Sequence, residues 1–172
     1  RLRLAGLLPV AIVGALLAGC QGETPQHTVT ELYDLLREAK VTGAPTTEQL
    51  ARLAPLLGNE LENSLDSARM MREADLAARP DEKPAFAEGD LFTSLFEGAT
   101  SVTPEAPAAN AAVYRMVVRF RNDSVKPAVE WTDTVVVAKE ADHLVVTDIR
   151  YGGSWPFANH GSLVQTLKTA LQ

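Results

Sequence analysis

Seven residues in the second half of the chain have side chains that could bind a ligand or take part in catalysis. An arginine beside a carboxylate and an aromatic ring can hold a carboxylate or a sugar, because the guanidinium donates two parallel hydrogen bonds and the ring supplies a flat apolar surface. A carboxylate in an apolar pocket can instead serve as a general base. The seven candidates are Arg119, Trp131, Asp133, Asp148, Arg150, Tyr151 and Trp155.

A predicted hairpin sets the register that would bring five of these residues together. If Ala141-Asp142 is the turn, Glu140 pairs with His143 and Asp133 lies opposite Arg150. With Arg119 paired to Trp131 on the preceding strand, one sheet face carries Arg119, Trp131, Asp133, Asp148 and Arg150. We favour a solvated, salt-bridged outer face; the alternative is the polar floor of a pocket, and a slip of one residue would disperse the cluster.

Two further patterns are open to a structural and a functional interpretation. Arg115, Arg119 and Arg121 alternate along one strand and could receive an anionic partner, although a solvated face is favoured. The run from Tyr151 to Phe157 contains Gly152-Gly153 and two aromatic residues. Its glycines would let a phosphate or peptide approach the backbone, but we favour a turn that seats Trp155 and Phe157 over the core.

No recognised metal or nucleophile motif is found. The histidines, His27, His143 and His160, lack metal-ligand spacing, and the serines lack the glycine pattern of a nucleophile elbow. No GxxxxGK loop stands between a strand and a helix. The sequence therefore predicts no metal and no cofactor, and only an aspartate general base remains as a catalytic alternative.

Composition indicates one acidic globular domain after residues 1–19 are removed. The chain has 172 residues, of which 46% are hydrophobic and 22% charged. Without Arg1 and Arg3, the basic residues number 16 − 2 = 14 against 22 acidic residues, a formal charge of −8. This charge makes nucleic acid an improbable partner.

The N-terminal segment predicts export and lipidation. Arg1 and Arg3 precede an uncharged run from Leu4 to Gly19, which is short for a membrane span. Leu17-Ala18-Gly19-Cys20 resembles the bacterial lipobox. The resemblance implies cleavage between Gly19 and Cys20 and lipid on the Cys20 thiol. The alternatives are a secretory signal with an incidental cysteine and an uncleaved anchor.

The residues after the cysteine predict a lipidated tether over 20–27. Gln21 stands where inner-membrane lipoproteins of enterobacteria carry aspartate. By that resemblance, we expect the protein on the inner leaflet of the outer membrane of a Gram-negative bacterium, facing the periplasm. The membrane, through the lipid on Cys20, is the expected partner.

The mature domain is predicted to be α+β over residues 28–172. Capping patterns begin at Thr28, Thr46, Asn59 and Ser162 and predict three N-terminal helices and a C-terminal helix. Alternating runs predict a weak edge strand at 100–105 and strands at 112–121, 129–139 and 143–151. This order indicates N-terminal helices packed on a curved antiparallel sheet of three to four strands. The connector from Phe86 to Gly98 is expected to plug one end of the core with its phenylalanines, or to form a peptide-binding lip.

The element order resembles the nuclear-transport-factor-2-like, or cystatin-like, cone. Several strings also resemble an uncharacterised family of proteobacterial lipoproteins that carry a domain of unknown function, and the resemblance covers most of residues 28–172. The strings are PTTEQL at 45–50, EGDLFTSLFEG at 88–98, WTDT at 131–134 and DIRYGG at 148–153. The resemblance implies a fold and no activity.

These observations predict a periplasmic lipoprotein that acts as a non-enzymatic binding module. The expected ligand is a small amphiphile, an envelope component or a protein partner. One alternative is a toxin-neutralising, immunity-type lipoprotein. The other is a cone-fold enzyme that uses Asp133 or Asp148 as a base, although an adjacent arginine would weaken either as a base.

Overall fold

The structure, a computed structural model, describes residues 23–107 and 111–171. The predicted cleavage and lipidation positions, Gly19 and Cys20, lie outside the described residues. In chain order the elements are α1 (Pro25–Glu38), α2 (Thr47–Leu53), a 3₁₀ turn (Ala54–Leu56), α3 (Asn59–Ala78), β1 (Ser101–Pro104), β2 (Val113–Asn122), β3 (Val129–Glu140), β4 (His143–Arg150) and α4 (Leu163–Ala170).

The fold is α+β, as predicted. The four strands form one antiparallel sheet in the order β1-β2-β3-β4. Apolar residues of α1, α2 and α3 form one core with the inward residues of the strands and with Leu163 and Leu167 of α4. In β2 the exposed and buried positions alternate from Arg115 to Asn122, as the sequence predicts. No helix in the described part of the chain is both long and apolar enough to cross a bilayer.

Two of the four predicted helix starts are confirmed. Thr46 forms a full capping box: its hydroxyl accepts the amide of Gln49, and the Gln49 side chain accepts the amide of Thr46. Ser162 caps α4 by accepting the amide of Gln165. Pro55 lies in the 3₁₀ turn directly after α2, because proline cannot continue the hydrogen bonding of an α-helix.

The predicted start of α1 at Thr28 is wrong. Thr24 is the N-cap, and its hydroxyl accepts the amide of His27 at 3.2 Å. Pro25 occupies the first turn of the helix, where its fixed φ is compatible with helical geometry. Its lack of an N–H costs nothing there, because the first N–H groups of a helix have no carbonyl partner within the helix. The first turn of α1 therefore includes residues of the predicted 20–27 tether.

The predicted side-chain cap of α3 is also wrong. Gly58 is the N-cap and has no side chain to offer. The amide of Asn59 instead donates to Glu140 Oε2 at 3.0 Å, from the end of β3. A distant carboxylate thus takes the place of a local cap at the positive end of the helix.

The predicted register is correct at the hairpin turn and wrong beyond it. Glu140 pairs with His143, but the pairing shifts between Val136 and Val137, so that Thr134 lies opposite Arg150. On the other side of β3, Trp131 pairs with Phe120 rather than Arg119. Each change moves side chains between the two faces of the sheet.

Candidate functional site

Asp133 is the centre of a buried hydrogen-bond network. Its side chain is 2% exposed. The carboxylate accepts the backbone amides of Ser94 and Gly152, both at 2.8 Å, and the indole Nε1–H of Trp131 at 3.1 Å. The Ser94 hydroxyl donates to the same carboxylate. Four donors therefore surround this carboxylate and leave no room for a substrate to reach it. The geometry opposes its use as a general base.

Trp131 belongs to the core and lines no polar face with Arg119. It is 7% exposed and stacks on Phe120, with ring centroids 5.4 Å apart. Its other neighbour is Trp155, which meets it edge to face at 5.9 Å. The predicted cluster is therefore divided: Trp131 and Asp133 lie on the inner face of the sheet, whereas Arg119 and Arg150 are exposed.

Asp148 has a structural role at the start of α4. Its Oδ1 accepts the amide of Ile149 at 2.9 Å and that of Val164 at 3.1 Å. A carboxylate is favoured at this helix end because the free amides there carry partial positive charge. These contacts tie β4 to the first turn of α4.

Two loops form hydrogen bonds with Asp133. We call residues 89–98 the aromatic loop and residues 151–161 the glycine loop. Tyr33 of α1 donates its hydroxyl to Phe92 O at 2.8 Å, and Tyr151 donates its hydroxyl to Leu91 O at 2.6 Å. The Asn159 side chain donates to the carbonyls of Asp90 and Thr93 at 3.0 and 2.7 Å. These bonds, together with those to Asp133, hold both loops in one arrangement.

Between the loops lies an apolar groove of about 430 Å³, which we call the aromatic groove. Phe157 at its rim is 89% exposed, and Phe96 is 47% exposed. The groove is lined by Leu95, Phe96, Glu97, Val125, Val129, Trp155 and Phe157. The expected seating of Phe157 over the core is wrong. Of the three phenylalanines in the connector, only Phe92 is buried.

A smaller cavity of about 190 Å³ lies between α1 and the aromatic loop, and Asp90 lines it. The pKa of Asp90 is raised to about 6: burial and the nearby charge of Asp133 raise it, and the hydrogen bond from the Phe92 amide at 2.6 Å partly offsets them. Burial likewise raises the pKa of Tyr33 and of Tyr151, and Asp90 adds to both shifts. Arg37 and Lys40 line the same cavity.

A groove of about 540 Å³ lies on the outer side of the sheet beside Arg119 and Arg121, and we call it the polar groove because Ser101, Thr103, Glu105, Glu130 and Thr132 also line it. Arg119 pairs with Glu105 at 2.7 Å, and Arg121 pairs with Asp123 at 2.7 Å and with Glu130. The arginine row is thus solvent-exposed, as the favoured interpretation predicts, and two of its three members have acidic partners.

Trp155, one of the predicted binding residues, lines the aromatic groove, but the sequence did not predict the other lining residues or the residues that hold the two loops together. Ser94, Asn159 and Tyr33 are ordinary polar residues in the chain, and their partners lie far away in sequence. The available signals were Phe92 and Phe96 between Gly89 and Gly98, and Trp155 and Phe157 in the run after Tyr151. No group of three metal-binding side chains occurs in residues 23–107 and 111–171.

Comparison of the chain with models of protein families, with curated proteins and with solved structures finds no match.

Proposed function

We propose that this protein is a periplasmic lipoprotein, anchored by lipid on Cys20, whose domain binds the apolar part of a small amphiphile in the aromatic groove without catalysing a reaction. The observation that carries the proposal is Phe157, which leaves nine tenths of its surface in water beside the half-exposed Phe96. Exposed apolar side chains that cluster in a groove are typical of binding sites rather than of inert surface.

The rigidity of the two loops supports the same proposal. Both walls of the groove are fixed by the hydrogen bonds to Asp133 and by the Asn159 side chain. A site that is ordered before its ligand arrives loses less conformational entropy on binding. Three of the four donors to the Asp133 carboxylate come from the two loops, which is expected if those loops carry the ligand site.

The size and chemistry of the groove favour an amphiphile. About 430 Å³ is within the range of sites for small molecules. Its walls are aliphatic and aromatic, and Glu97 is the charged residue in the lining. An alkyl or aromatic moiety would contact the walls while a polar group remained in water.

The lipid anchor would place this groove near a membrane, where amphiphiles are concentrated. Thr24 caps α1, so only four residue steps separate the domain from Cys20. Four steps of extended chain span at most about 14 Å. The domain would therefore remain within a short distance of the bilayer surface.

Titration with the fluorescent amphiphile 1-anilinonaphthalene-8-sulfonate tests the proposal. We expect a saturable rise in fluorescence that fits one site per chain and is competed by a single-chain detergent below its critical micelle concentration. A signal that rises linearly without saturation, or no signal from folded protein, would oppose a defined site.

A further inference from the structure

The side of the sheet that faces away from the helices carries an unusual charge for this protein. The chain has a formal charge of −6, yet four arginines lie on this side, which we call the outer face. On β2 every second residue from Val113 to Arg121 is exposed. The outer face comprises Val113, Arg115, Val117, Arg119 and Arg121 of β2, Glu130, Thr132, Thr134 and the buried Val136 of β3, and Asp148 and Arg150 of β4.

The four arginines differ in whether an acidic side chain neutralises them. Arg119 and Arg121 have carboxylate partners, as described above. Arg115 and Arg150 form no ion pair with any of the residues that the structure describes, and both are exposed. Asp148 precedes Arg150 on β4 but directs its Oδ1 to the amides of Ile149 and Val164. Within residues 23–107 and 111–171, therefore, no carboxylate oxygen lies within 4.0 Å of a side-chain nitrogen of Arg115 or Arg150.

The strand register fixes the spacing of Arg115 and Arg150. Arg115 lies opposite Val136 on β3, and Arg150 lies opposite Thr134 on the same strand. Two strand spacings and a step of two residues put their Cα atoms about 12 Å apart. Val117 is 40% exposed and lies opposite Thr134, so it is next to the line that joins Arg115 and Arg150 across the sheet. An extended chain reaches this spacing between residues four positions apart.

We propose that the outer face is a docking surface for an acidic protein, whose carboxylates pair with Arg115 and Arg150 while its backbone covers Val117 and its side chains enter the polar groove beside Arg119. Charge complementarity selects this partner, because two fixed cations in an acidic domain attract carboxylates and repel basic surfaces. The polar groove lies beside Arg119 on the same face and gives the partner a concave seat.

The architecture also favours a protein over the lipid surface as the occupant. α1 packs on the inner face of the sheet, so the chain that leads to Cys20 departs from the helical layer. If Cys20 carries the lipid proposed above, a connection of at most about 14 Å would keep the start of α1 nearer the bilayer than the outer face. The proposal does not depend on the aromatic groove, which lies between the two loops at the end of the sheet.

The test uses a fluorescein-labelled decapeptide of alternating glutamate and valine, with the full chain in a neutral detergent and fluorescence anisotropy at low salt. We expect saturable binding that Arg115→Gln with Arg150→Gln weakens by about tenfold or more. The matched control removes two cations from the helical side, Arg37→Gln with Arg79→Gln, and should bind as the unaltered protein does. Thermal melts of both variants should agree with the parent, since the four side chains are exposed.

Three outcomes would overturn the proposal. The first is an equal loss of affinity in the two double variants, which would indicate general electrostatic attraction. The second is that the unaltered protein does not bind the peptide. The third is that the protein binds vesicles that contain phosphatidylglycerol, through Arg115 and Arg150, but does not bind the peptide. A decapeptide of alternating lysine and valine should not bind.

Discussion

The carboxylate of Asp133 accepts the backbone amide of Ser94 at 2.8 Å, which joins β3 to the aromatic loop across 39 positions of sequence. The same carboxylate accepts the amide of Gly152 in the glycine loop. One side chain therefore sets the separation of the two walls of the aromatic groove. Hydrogen bonds to a buried charge are about twice as strong as those between neutral groups, which suits this role.

Asp133→Ala should destabilise the domain strongly. It would leave the amides of Ser94 and Gly152 and the indole N–H of Trp131 without an acceptor, and each buried unsatisfied donor costs about 1–3 kcal/mol. Asp142→Ala, in the exposed hairpin turn, is the matched control and should change the free energy of unfolding by less than about 0.5 kcal/mol. Urea denaturation compares the two, and similar midpoints would show that the network carries no stability.

Gly152→Ala should also destabilise the domain, by about 1–3 kcal/mol. A Cβ at this position would lie 2.1 Å from Thr132 O, so β3 and the glycine loop would have to separate. Separation would lengthen the hydrogen bond from the Gly152 amide to Asp133. Ser154→Ala, two residues later and exposed, should be neutral in the same thermal melt. An unchanged melting temperature in Gly152→Ala would mean that the close approach is not needed.

How far the sequence predicts this structure depends on how local each signal is. The capping box of Thr46 and the alternation of β2 are set by neighbouring residues, and both are confirmed. The irregularity between Val136 and Val137 has no turn residue or glycine to mark it, so the register beyond it was wrong.

The roles of Asp133 and Phe157 were beyond local patterns. The residue type of Asp133 suggests a solvated or catalytic carboxylate, and only the positions of Ser94 and Gly152 show that it is structural. Phenylalanine is a residue type usually found in the core, but Phe157 lies in a loop whose path depends on the Asn159 contacts. Its 89% exposure follows from tertiary structure alone.

The raised pKa of Asp90 predicts a dependence of stability on pH. Because the folded value of about 6 exceeds the usual 3.8, folding favours the protonated form. The stabilising contribution is complete below about pH 3.8 and is lost as the pH rises through 6. Asp133, Tyr33 and Tyr151 interact with this carboxyl, and Arg37 and Lys40 share its cavity.

Asp90→Asn isolates that contribution. The amide cannot ionise, and its oxygen can still accept the Phe92 amide. The variant should become more stable relative to the unaltered protein as the pH rises from 4 to 7.5. Free energies of unfolding across this range measure the difference, and a difference that does not vary with pH would refute an ionising, partly buried Asp90.

Cys20→Ser tests the proposed anchor. The serine hydroxyl does not replace the thiol in lipid transfer, so we expect the variant to lose incorporation of a clickable fatty acid and to leave the membrane fraction or remain uncleaved. The unaltered protein should be labelled and sediment with membranes. Equal labelling of the two forms would exclude lipid on Cys20.

Binding of 1-anilinonaphthalene-8-sulfonate to Phe157→Ser, compared with Met70→Ser, tests the central claim most directly. Both substitutions remove a largely exposed apolar side chain, but Met70 lies on α3, outside the aromatic groove. We predict that Phe157→Ser stays folded and loses affinity by about tenfold or more, as aromatic hot spots do, whereas Met70→Ser binds as the unaltered protein does. Unchanged binding by folded Phe157→Ser, or an equal loss in Met70→Ser, would contradict the proposal that the aromatic groove is the binding site.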